Sequence, residues 1–139
     1  MSLAAKKAYQ SAAFDSKVET SDKRDLVILM YDAALDALRL AREHVIRAEH
    51  REASVALARA MTVLNGLRNC LDHEKGGSVA KHLDDFYGFF IRKLTRMDRT
   101  AASEISDCED LLSQVREAWV VISPTAAGQV TRRLFAVHT

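Results

Sequence analysis

Residues 51–72 read REASVALARAMTVLNGLRNCLD. Apolar residues fall at Ala53, Leu57, Ala60, Leu64, Leu67 and Leu71, in alternating steps of four and three. At 3.6 residues per turn this spacing keeps one stripe on one side of a helix, and strict four-three steps are the pattern of a bundle seam. Such a stripe needs counterparts, because a single amphipathic helix cannot bury its own apolar face.

The counterparts lie on both sides of this stretch. Upstream, Thr20, Ser21 and Asp22 are good helix-capping types. Leu26, Met30, Ala33, Ala37, Ala41, Val45 and Ala48 then predict a helix to about residue 48, with Val27, Tyr31, Ala34 and Leu38 widening its stripe. Downstream, Gly76-Gly77 reads as an interruption and Ser78 as the next cap. Leu83, Tyr87, Phe90, Leu94 and Met97 predict a third helix to about residue 98. Ile105, Cys108, Leu112, Val115, Trp119 and Ile122 predict a fourth over about 103–122, ended by Pro124, the only proline. No segment alternates with the period of two that marks a half-buried strand.

Four segments of about 20 residues, each roughly 30 Å long, with short connections favour antiparallel neighbours. The fold class expected is therefore all-α, an antiparallel up-down-up-down four-helix bundle with an N-terminal arm or short helix. The expected division is an arm over 1–20, a bundle over 21–123, and a short tail over 124–139 whose composition allows mobility.

Composition bounds the function. The chain has 139 residues, 48% hydrophobic and 28% charged, with a formal net charge of +1. That suits one globular domain and lacks the strong basic footprint of a nucleic-acid binder. No run of 18 apolar residues predicts a membrane span, and Lys6 and Lys7 are not followed by the apolar stretch of a secretory signal. A cytoplasmic location is expected. Cys70 and Cys108 fall on apolar positions of predicted helices and read as small buried hydrophobes.

Catalytic motifs are not found. A carboxylate-bridged metal bundle needs Glu-x-x-His, but the residues three before His44, His50, His73, His82 and His138 are Ala41, Arg47, Cys70, Val79 and Phe135. Asp72, His73 and Glu74 are adjacent at a predicted helix end, where capping or solvation is expected and a histidine suits the negative end of the helix dipole. There is no Gly-x-Ser-x-Gly elbow and no phosphate loop. The chain is read as a binding protein, not an enzyme, with no metal and no cofactor.

The residues that stand out are apolar ones in excess. Phe86, Tyr87, Phe89 and Phe90 place four aromatics in five positions, and at about 100° per residue they cannot all face one seam. Some of that surface must meet the arm, with Tyr9 and Phe14, a second copy, or a partner.

Several stretches together resemble one family. They are Ala8-Tyr9-Gln10, Val18-Glu19-Thr20-Ser21, and Leu26-Val27-Ile28-Leu29-Met30-Tyr31-Asp32-Ala33-Ala34. To these add Leu67-Arg68-Asn69-Cys70-Leu71-Asp72-His73-Glu74-Lys75-Gly76-Gly77, then Leu83 with Phe86-Tyr87 and Arg92-Lys93-Leu94, and Val115-Arg116-Glu117-Ala118-Trp119. In order and spacing they resemble the flagellar export chaperones, the FliS family, over about residues 8–122. The chain departs from the family pattern at Ser21-Asp22, where Ser-Pro is usual, at Tyr87-Gly88, where Tyr-Asp is usual, and in the turn Met97–Ala102.

The resemblance implies a cytoplasmic bundle that binds the C-terminal segment of flagellin, prevents early polymerisation and presents it to the type III export apparatus. It also implies an arm, with Tyr9 and Gln10, that covers the groove. The candidate partner-binding residues are Tyr9, Gln10, Phe14, Leu26, Val27, Met30, Tyr31, Phe86, Tyr87 and Phe90. The candidate structural core is Leu64, Leu67, Leu71, Leu83, Leu94, Leu112 and Trp119. Flagellin is the expected partner, with components of the export apparatus beside it; no nucleic acid and no membrane insertion are expected. The alternative is a non-catalytic bundle whose apolar surplus serves homodimerisation or adaptor binding.

Overall fold

The computed structural model describes residues 23–96, 102–121 and 134–135. The expectations for the arm, including Tyr9, Gln10 and Phe14, and those for Met97, the turn after it, Ile122 and Pro124 lie outside these residues. Among the described residues four helices are laid out in full: α1 (Lys23–Ile46), α2 (His50–Asn69), α3 (His73–Arg96) and α4 (Ala102–Val121). They form a helical bundle around a single apolar cluster.

The α2 seam is buried as its spacing requires: Ala53, Leu57, Ala60, Leu64 and Leu67 are at most 5% exposed, with Ala56 beside them. On α1 two apolar stripes compete. The buried one is Val27, Tyr31, Ala34, Leu38, Ala41 and Val45, with Ala37 alongside, while Ala33 and Ala48 are exposed and Leu26 and Met30 are half-buried. Burying Tyr31 and Leu38 removes far more apolar area from water than burying Ala33, so the larger side chains set the rotation of the helix. On α3, Ala80, Tyr87, Gly88, Phe90 and Leu94 are buried, and on α4 Ile105, Cys108, Leu112 and Trp119 are.

Cross-helix pairs give the directions. Asp32 pairs with Arg116 and Arg42 with Glu109, so position rises along α1 as it falls along α4. Met61 meets Thr95 and Arg68 meets Asp84, which runs α2 and α3 oppositely in the same way. α1 packs on α2 and on α4, and α2 packs on α3. The consecutive helices α3 and α4 keep a wider backbone separation. The spacing of packed helices follows the size of the side chains between them, and α3 brings Phe86, Tyr87 and Phe90 inward.

The turn from α1 to α2 is a Schellman motif. Glu49 N–H donates to His44 O at 2.8 Å and Ala48 N–H to Val45 O at 3.0 Å. Ala48 occupies the left-handed position with φ 58°, where glycine carries no Cβ penalty. Ala48→Gly is therefore expected to raise the unfolding free energy by about 0.5–1 kcal/mol, read as a higher denaturation midpoint.

Two sequence expectations are corrected between α2 and α3. Cys70, expected to be a buried helical hydrophobe, is exposed. α2 ends at Asn69, Cys70 follows as its cap residue, and Leu71 takes the buried place at 7% exposure. The third helix starts at His73, ahead of the expected Ser78, because Asp72 caps it: Lys75 N–H donates to Asp72 Oδ1 at 2.9 Å and Gly76 N–H to Asp72 O at 2.8 Å. His73 thus sits at the positive end of α3, and the dipole argument for it fails. The glycine pair does interrupt the helix locally, since Gly77 has φ 53° and ψ −132°, a conformation left to glycine.

Candidate partner-binding surface

The expected site residues divide by depth. Val27, Tyr31, Tyr87 and Phe90 are at most 3% exposed and belong to the core cluster. Leu26, Met30 and Phe86 are half-buried, and so remain reachable from solvent. Of the residues expected to be structural, Leu64, Leu67, Leu71, Leu94, Leu112 and Trp119 are buried, and Leu83 is partly buried against the same cluster.

Within this set the fold assembles an aromatic spine. The Tyr31 and Tyr87 hydroxyls meet at 2.6 Å in the interior, joining α1 to α3. Burial pushes both phenols above the ordinary tyrosine value, Tyr87 the further, so both stay neutral. The Trp119 side chain also bears on the Tyr31 hydroxyl and counters part of that rise. Phe86 packs edge-on against Phe90 with centroids 4.8 Å apart, and against Tyr87 at 5.8 Å. Leu26 and Met30 lie elsewhere, near the start of α1; the Met30 methyl faces Gly66 of α2, 3.5 Å from where a Cβ would stand.

Phe89 is the residue the seam reading passed over. It is 50% exposed, rests its edge against Phe90, and carries Lys93 Nζ 6.0 Å above its ring. It lines a furrow of about 310 Å³ together with Arg92, Lys93 and Arg96 of α3 and Glu104 of α4. The furrow lies where the last turns of α3 meet the first turn of α4. A second shallow furrow, about 340 Å³, lies between α1 and α2, with Leu40, Val55 and Ala56 flanked by Arg51 and Arg59. The signal for Phe89 was present in the sequence: it belongs to the aromatic run and falls off the four-three stripe.

Ion pairs fix the helices around these furrows. Arg42 reaches Glu109 with Nε–Oε1 at 2.6 Å and Nη2–Oε2 at 3.5 Å. Arg116 makes a similar fork onto Asp32, its second contact at 3.4 Å. Arg68 Nε donates to Asp84 Oδ1 at 2.7 Å and holds that carboxyl below the usual carboxylate range. The Arg68 guanidinium lies against bare backbone at Gly88, where a Cβ would come within 3.2 Å of it. Gly88, a departure from the family pattern, thus makes room for the arginine.

No group of three or more His, Cys, Asp or Glu residues is placed to hold a metal ion among the described residues. Cys108 is buried, and burial pushes its thiol up, away from a reactive thiolate. Among the described residues no helix is long and apolar enough to cross a membrane.

One more contact had no counterpart in the sequence reading. Leu134 and Phe135 are 4% and 3% exposed. Phe135 lies 6.0 Å from Trp119, ring to ring, and pairs with Leu71 as an isolated antiparallel bridge. Two residues carry no periodicity, so no pattern announced them.

Comparison with known proteins bears out the family resemblance. Residues 5–126 match the family described as flagellar protein FliS. The flagellar secretion chaperone FliS of Salmonella typhimurium is 36% identical over 128 residues, covering 91% of this chain and 95% of the relative. The flagellar secretion chaperone FliSB of Pseudomonas aeruginosa is 29% identical over 122 residues, covering 87% and 97%. The flagellar secretion chaperone FliS of Escherichia coli is 27% identical over 114 residues, covering 81% and 84%. With a family match across most of its length and a relative above a third identical, the chain belongs to the flagellar protein FliS family.

Proposed function

We propose that the protein is a cytoplasmic flagellar export chaperone. It binds the C-terminal segment of flagellin, keeps that segment from polymerising early, and delivers the subunit to the type III secretion apparatus. The names of its relatives support the chaperone role. The observation that carries the binding surface is Phe89, a large aromatic left half outside the core beside a furrow. A half-exposed aromatic rimmed by Arg92, Lys93 and Arg96 offers one apolar anchor with charge around it, the residue type that most often dominates binding energy.

The physical mode is an amphipathic segment laid into a groove between helices. Apolar client side chains would cover Phe89 and the accessible face of Phe86. Arg92 and Arg96, which make no ion pair among the described residues, would face acidic client groups. Ordering a flexible tail uses up part of the interaction energy, which keeps affinity moderate and release feasible. The work is binding and release, with no bond made or broken.

Calorimetric titration of a synthetic peptide from the flagellin C-terminus into the full chain tests this. Saturable heat at equimolar stoichiometry, with a matching shift in elution volume, is expected. Absence of both at high micromolar peptide would remove the proposal. A homodimer that buries the same surface would appear in sedimentation as a doubled mass without peptide.

A further inference from the structure

α1 and α2 each carry a second stripe beside the one they turn to the core. On α1, Leu26, Met30, Ala33, Ala37 and Leu40 also step by four and three. They flank the buried stripe, and Leu26, Met30 and Leu40 stay half-buried. On α2, Ala56, Arg59, Val63 and Gly66 step in the same way, with Val55 beside them 53% exposed. Met30 faces Gly66, and Leu40 shares the α1–α2 furrow with Val55 and Ala56, so the two stripes run side by side.

Two adjacent rows of this spacing are what a third helix meets when it packs against a helix pair, its apolar residues falling between the rows. Both walls are helices, whose backbone groups are used internally. An extended segment would therefore find no hydrogen-bond partner here.

Charge selects among helices. At the turn end of the groove Arg51 adjoins Glu52, of opposite sign, and His44 lies 3.3 Å from Glu49. Arg59 makes no ion pair among the described residues, and the other members of its stripe are apolar. It stands at the middle of α2, so a second copy docked about a two-fold axis centred on the groove would set Arg59 against itself. A partner helix with a carboxylate at the centre of its apolar stripe meets no such repulsion and supplies the missing counter-charge.

We propose that the outer face of α1 and α2 docks an amphipathic helix of a partner protein, one whose apolar four-three stripe carries a central Asp or Glu that meets Arg59. In the bundle α2 packs on α3 and α1 on α4, so this face is turned away from the α3–α4 furrow, and a client there leaves it open. The proposal does not depend on flagellin being that client.

The probe is a synthetic helix of about three heptads, with leucine at the four-three positions and glutamate at the central one; its control carries lysine there. The central charge also opposes pairing of the probe with itself. Calorimetric titration into the full chain should show the glutamate helix binding at a single site about tenfold more tightly than the lysine helix. Arg59 is exposed, so Arg59→Glu should fold as the wild type does and reverse that preference. Rejection of both helices by the wild-type chain, as a groove filled by the chain's own terminal residues would give, overturns the proposal. Equal affinities, or a preference that Arg59→Glu leaves unchanged, overturn it too. So does displacement of the bound helix by the flagellin C-terminal peptide, which would make the groove part of the client site.

Discussion

Replacing Trp119 with alanine is expected to lower the unfolding free energy by about 3–5 kcal/mol, measured by denaturant titration of the full chain. The ring is 5% exposed, packs on Phe135 and bears on the Tyr31 hydroxyl. Truncation therefore leaves a cavity at the junction of α1, α4 and the carboxyl-terminal segment. The surrounding helices cannot close it easily, because the Arg116–Asp32 pair fixes α1 against α4 one turn away. A loss under about 1 kcal/mol would show that the indole is not part of the packed core.

The second large effect concerns the buried hydroxyl pair. Tyr31 and Tyr87 are both fully buried, and their oxygens are 2.6 Å apart. Tyr31→Phe strips Tyr87 of this partner, and an unsatisfied buried hydroxyl costs about 1–3 kcal/mol. Tyr87→Phe strips Tyr31 in the same way and should cost about as much. The double Tyr31→Phe, Tyr87→Phe variant should cost clearly less than the two single changes summed, since it leaves no orphan. Denaturation midpoints of the three variants check this; strict additivity would mean that the hydroxyls do not interact. Both phenols stay neutral over the physiological range, so the coupling should not vary with pH between 6 and 8.

Where the apolar spacing was strict, the fold could be read directly. The four-three run from Ala53 to Leu67 could only be one buried stripe, and it is. The α4 stripe through Ile105, Cys108, Leu112 and Trp119 reads equally well. On α1, alanines and larger residues made two overlapping stripes, and periodicity alone does not weigh Tyr31 against Ala33. Packing does, through the area each removes from water. Gly76-Gly77 marks a real break, since Gly77 is non-helical inside α3, but the helical turn that Asp72 caps ahead of it carries no apolar periodicity and so was not legible.

The candidate site was only partly legible for a related reason. Sequence shows that Phe86, Tyr87, Phe89 and Phe90 cannot share one seam, but not which of them turns outward. The tyrosine is drawn in by its hydroxyl partner on α1, Phe90 follows it one turn later, and Phe89 is left on the outer edge. Leu134–Phe135 was beyond any periodicity argument, because its role comes from one backbone donor far away in the chain.

Client capture at the α3–α4 furrow is measured most directly by the affinity of the flagellin C-terminal peptide for Phe89→Ala. Because only half of the ring is packed, against Phe90 and Lys93, the variant should lose about 1 kcal/mol of stability and stay folded. Covering that ring is worth about 1.4 kcal/mol, so binding should weaken roughly tenfold. An unchanged dissociation constant with an intact fold would contradict the account.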